Sequence, residues 1–100
     1  MTSVLIYLGL NEATFEVKGH SSYSSPDMGY NDVCISVSTL VTMFGRWMEQ
    51  EYDLVPSICE DGHYLFEIYD YSSEMEELLM AMRTHFEWLS EQYPRHVKLL

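Results

Sequence analysis

A chain of 100 residues, 47% apolar and 21% charged, has the length of one small domain and enough hydrophobic content for a core, which excludes a disordered chain. Sixteen Asp and Glu stand against five Lys and Arg, a formal net charge of −11. Such a field repels a nucleic-acid backbone and attracts a basic peptide or protein tail.

Residues 4–8 form a continuous apolar run, which predicts a strand buried on both faces or at a dimer interface. The run is too short for a membrane span and lacks the basic flank of a signal peptide. Without an export signal, Cys34 and Cys59 are expected as reduced thiols in a cytoplasm. Residues 14–18 alternate, with Phe15 and Val17 on one face and Glu16 and Lys18 on the other, as in the second arm of a hairpin.

Serines, Pro26, Asp27 and Gly29 punctuate residues 19–31, and no regular element is predicted there. A helix follows over about 32–51, with Val33, Val37, Leu40, Val41, Phe44 and Met48 at steps of three and four. Asn31 is placed as its N-cap. Gly45 weakens it by up to ~1 kcal/mol relative to Ala.

Asp61-Gly62 divides residues 54–60 from 63–70 and predicts a type I′ hairpin, with Pro56 pushing the first arm to an edge. The second helix starts at a capping box of Ser73 and Glu76, carries an apolar stripe from Met75 to Tyr93 and stops at Pro94. A last short strand follows. The order ββαββαβ implies an α+β fold, residues 1–100 as one domain, with two helices covering an antiparallel or mixed sheet. Seven methionines and 14% aromatics leave apolar surface that a homodimer would cover.

Two residues stand out chemically. Cys34 falls at about the third position of the first predicted helix, where unpaired backbone amides and the positive end of the macrodipole favour a thiolate. Those amides could also stabilise an oxyanion. His20 lies fourteen positions earlier, across a loop long enough to bring its ring beside the sulfur. Cysteine and histidine together suit nucleophilic acyl transfer, one attacking and the other moving the proton. Read as packing, Cys34 is a core thiol and His20 a surface residue. Asn31 could orient the histidine through its amide oxygen as well as cap the helix. Asp32 is either a second candidate for that role or a favourable first-turn acid. Ser38, one turn beyond Cys34, lies on the same helix face. Cys59 is expected to be structural. No metal-ligand spacing and no phosphate-binding glycine loop is present, and no cofactor is implied.

Gly19-His20, a polar loop, and then Val33-Cys34 followed by Val37, Ser38 and Leu40 resemble the bacterial ribosomal-processing cysteine proteases, the Prp family. There a Gly-His pair follows the first hairpin, and the cysteine opens a helix in a motif like Asp-Ile-Val-Cys-Ala-x-Val-Ser-x-Leu. The resemblance implies a peptidase with Cys34 as nucleophile and His20 as general base. It implies removal of an N-terminal extension from a basic protein of the large ribosomal subunit, a homodimer, and a mobile substrate loop bearing Tyr23, Met28, Gly29 and Tyr30. This sequence departs from the family pattern in three places. Asn31 replaces an acid three positions before the cysteine, Ile35 and Ser36 replace small residues after it, and the loop is longer and poorer in glycine. Two other readings of the same chain are a non-catalytic dimeric binding module and a phage-type member that processes a virion protein.

Overall fold

The computed structural model describes residues 1–19 and 28–100, with residues 28–31 as backbone only. The elements are β1 (Thr2–Leu8), β2 (Glu12–Lys18), α1 (Met28–Tyr52), β3 (Ile58–Glu60), β4 (His63–Tyr69), α2 (Ser73–Gln92) and β5 (Val97–Leu99). The five strands form one sheet in the order β3-β4-β2-β1-β5. All pairings are antiparallel except β1 with β5. The fold is therefore α+β with a mixed sheet, as the element order implies.

The two helices are crossovers: α1 carries the chain from β2 to β3, and α2 carries it from β4 to β5. Those crossovers move in opposite directions across the sheet and start from strands of opposite sense. The right-handed rule therefore puts both helices on the same face. Packing agrees. Phe15, in the middle of the sheet, meets Phe44 of α1 edge-on at 5.3 Å and Phe86 of α2 at 6.0 Å. The sheet row Ile6, Phe15, Phe66 is buried beneath them. The helices run antiparallel. At one end the Tyr52 hydroxyl lies 3.0 Å from Ser72 Oγ, and at the other the Tyr93 hydroxyl donates to Asp32 at 3.3 Å.

Among the described residues no helix covers the far face of the sheet. Leu5, Glu16 and Leu65 form a row there, half-exposed, and Tyr7 and Tyr69 lie largely in solvent. Thus β1 is buried on one face only. A continuous apolar run cannot by itself distinguish two buried faces from one.

Three local expectations shift. The edge strand starts at Ile58, not at residue 54. Asp53 takes φ 54 as α1 ends, Leu54 N–H donates back to Met48 at 3.3 Å, and Ser57 makes the first bond to β4. In the Asp61-Gly62 turn only Gly62 has positive φ (84), which rules out type I′. The cap of α2 is Ser72, not Ser73: its backbone is extended and its Oγ accepts from Met75 N–H at 3.2 Å. The register of the box moves with it, and Glu76 donates its backbone N–H to the Ser72 carbonyl instead.

Gly45 has a packing reason. A Cβ there would meet the Tyr64 hydroxyl oxygen at 3.1 Å. Among the described residues that hydroxyl is buried without a hydrogen-bond partner, and burial together with Cys59 pushes its pKa up to about 12. Tyr64→Phe should therefore raise stability by up to ~1 kcal/mol. Gly45→Ala alone should be nearly neutral, its helix gain offset by the contact. In the Phe background it should add about 1 kcal/mol. Urea unfolding of the four variants checks this coupling.

Candidate active site

The site region lies where β2 ends and α1 begins. Gly19 closes β2 with φ +79, and its N–H donates to the Gly62 carbonyl at 2.9 Å. The hairpin turn of β3 and β4 thus fixes the point from which the chain leaves towards His20. His20 and Tyr23 lie outside the described residues.

Cys34 is half-buried on α1 between the buried Val33 and Val37. Further along the helix, Val41 and Tyr64 line one cavity, while Phe44 packs on Phe66. Val41 is seven positions after Cys34, about 10 Å along the axis. Cys34 therefore sits towards the end of the sheet where Gly19 exits, on the helix-bearing side.

The helix begins at Met28, four residues before the expected start. In sequence the residue directly before Met28 is Asp27, a strong helix-starting type. Met28, Gly29, Tyr30 and Asn31 are consequently the first turn of α1 rather than loop. Asn31 is interior to the helix and does not cap it. The unpaired amides of a helix start belong to residues 28–31 here. Cys34 is the seventh helical residue, about 9 Å from Met28 along the axis.

Asp32 is exposed and accepts the Tyr93 hydroxyl, which ties the start of α1 to the end of α2. Ser38 is exposed one turn beyond Cys34 and lines an open groove along α1 with Thr42, Met43 and Arg46. Cys59 is exposed on the edge strand, so it is no core thiol. Among the described residues the structure therefore assembles only the cysteine half of the expected pair.

Sequence reasoning missed a second histidine–acid pair. His63 Nε2 lies 2.8 Å from Glu16 Oε2, with Lys18 Nζ 3.8 Å from the same oxygen. Strand alternation puts these groups on the open face, opposite Cys34. The pairing of Lys18 with His63 brings them together, and only knowledge of that register could have shown it.

The model of the family described as cysteine protease Prp matches residues 1–98. The chain belongs to that family. It is a cysteine peptidase by that membership. No curated protein matches it significantly. Among solved structures it is similar to SMU.848 from Streptococcus mutans, at 24% identity and a TM-score of 0.70, covering 99% of this chain and 91% of that one. It is also similar to the ribosomal processing protease Prp from S. aureus in complex with a covalently linked product peptide, at 19% identity and a TM-score of 0.70, covering 99% and 97%. The same S. aureus protease with a substrate peptide matches at 16% identity and a TM-score of 0.67, covering 100% and 98%. At these identities the likeness establishes the shared Prp fold.

Proposed function

We propose that residues 1–100 form one Prp domain acting as a cytoplasmic endopeptidase that removes an N-terminal extension from a basic protein of the large ribosomal subunit. Cys34 is the nucleophile and His20 its general base. The observation that carries this reading is the family match over residues 1–98, which includes the Gly19-His20 pair and Cys34.

In this reading His20 takes the thiol proton and the Cys34 sulfur attacks the scissile carbonyl. The imidazolium returns that proton to the leaving amine, and a thioester remains. His20 then activates water, which releases the new carboxylate and regenerates the thiol. In this reading activation of the sulfur falls to the histidine. The substrate-facing residues remain Tyr23, Met28, Gly29 and Tyr30, with Ser38 beside the nucleophile and Asn31 or Asp32 as orienting groups.

The charge of −11 collects a basic substrate, and the S. aureus relative is a ribosomal processing protease. A homodimer would cover the exposed apolar groups Tyr7, Leu10 and Tyr69. No described helix is long and apolar enough to cross a membrane.

The test uses a ribosomal protein with an N-terminal extension from the organism that encodes this chain. Mass spectrometry should show a single cut near the end of the extension. An intact ribosomal protein alongside a cleaved phage scaffold protein would reassign the substrate and keep the chemistry.

A further inference from the structure

We propose that Glu16 and His63 are positioning residues for His20: their hydrogen bond braces the end of β2 against the start of β4 and so fixes the place from which the chain leaves Gly19. This rests on the peptidase reading, in which His20 is the general base, and deepens it.

The brace is diagonal. Glu16 pairs with Leu65 across β2 and β4, and Lys18 pairs with His63. The bond between His63 Nε2 and Glu16 Oε2, at 2.8 Å, therefore steps from one row of the open face to the next. Long side chains reach such diagonal neighbours. An ionised carboxylate only accepts, so the proton of this bond sits on Nε2. Glu16 lies between the half-exposed Leu5 and Leu65. The two side chains are only 19% and 29% exposed, so solvent screens the bond less than it screens a surface pair. Lys18 Nζ stands 3.8 Å from the same oxygen and its side chain is 59% exposed. That is too long for a hydrogen bond, and the imidazole is the partner that holds Glu16.

The route to His20 is backbone. His63 directly follows Gly62, whose carbonyl accepts the Gly19 N–H at 2.9 Å. Gly62 and Gly19 take φ of 84 and 79, so the chain turns sharply at both ends of that bond. Without the brace, the first residue of β4 is free to shift against β2, and the Gly62 carbonyl shifts with it. Gly19 has little room to compensate, because the Met1 carbonyl oxygen fills the space beside its Cα. The exit towards His20 then turns, and a base loses much of its advantage through a small misplacement. Glu16 and His63 lie on the face opposite Cys34, so neither acts on the sulfur directly.

The sulfur itself supplies the readout. In Cys59→Ser, Cys34 is the sole thiol. At about pH 6 an ordinary thiol is almost wholly protonated, and fast alkylation by iodoacetamide requires a thiolate held by a neighbouring imidazolium. His20→Ala in this parent should slow alkylation at least about tenfold. His63→Phe and Glu16→Met keep the bulk and remove the bond. Each should slow alkylation about three- to tenfold, and the double variant no more than either, because they break one interaction. Glu16→Gln keeps an acceptor for the Nε2 proton and should stay within about twofold of the parent. In Gly19→Ala, where the exit is already displaced, Glu16→Met should slow the reaction no further. Urea midpoints confirm that each variant is folded in the assay. Parent rates in His63→Phe and Glu16→Met beside a slowed His20→Ala would overturn the brace and leave the dyad standing. Equal losses in Glu16→Gln and Glu16→Met, or a full added loss in Gly19→Ala, would overturn it as well. A parent rate in His20→Ala would overturn the dyad, and the positioning role with it.

Discussion

Cys34→Ala should reduce cleavage of the N-terminal extension at least ~10⁴-fold while leaving thermal unfolding almost unchanged. In the proposed mechanism the sulfur is the attacking atom, and nothing in an alanine replaces it. The side chain is half-buried and the position is helical, so truncation to the best helix former costs little. His20→Ala should lose a comparable amount, and the double variant no more than either single one, because members of one catalytic unit are not additive. Single-turnover rates from mass spectrometry give all three values. Additive losses would mean that His20 acts apart from the sulfur. Asn31→Ala separates two roles in the same assay. As a helix-interior residue it should gain a few tenths of a kcal/mol on substitution, where a cap would lose about 1 kcal/mol. A rate loss together with that gain would mark Asn31 as a positioning residue for His20.

Where the sequence was legible, the reason was periodicity. The stripe of α2 and the alternation of β2 and β4 each require one buried face, and the structure buries Met75, Leu79, Phe86, Phe15, Val17 and Phe66 accordingly. Boundaries were less legible because they depend on single residues competing for one role. Two serines in a row offered two caps for α2, and tertiary context chose Ser72, where Tyr52 also reaches it. At α1, Asn31 resembled a cap because it precedes the apolar stripe, yet a helix can start a full turn before its first buried residue. That turn makes Cys34 the seventh helical residue instead of the third. The Glu16–His63 pair and the cavity at Tyr64 depend on which strands become neighbours, which no local pattern encodes. The family was legible from the Gly19-His20 and Cys34 motif because those residue types stand at a recognisable spacing, and the family model matches residues 1–98.

Gly19→Ala should damage both stability and activity, although residue 19 takes no part in the chemistry. Its φ of +79 lies in the region that L-residues avoid, at a cost of about 1–3 kcal/mol for a non-glycine residue. An alanine Cβ would also collide with the backbone carbonyl oxygen of Met1, which is not the movable tip of a side chain. To relieve this, the chain must change φ or pull away from β1. Either movement breaks the 2.9 Å bond from Gly19 N–H to the Gly62 carbonyl and redirects the chain just before His20. The combined stability loss should exceed about 2 kcal/mol by urea unfolding. In protein kept well below its unfolding transition, kcat/KM should still fall by about tenfold or more, because a small misplacement of a base removes much of its advantage. D-alanine at the same position, introduced by chemical ligation at Cys34, separates the causes. It accepts positive φ and turns its methyl away from Met1, so both stability and kcat/KM should return to near wild type. If D-alanine and L-alanine lose activity equally, the close approach to Met1 and the turn at Gly19 do not position His20.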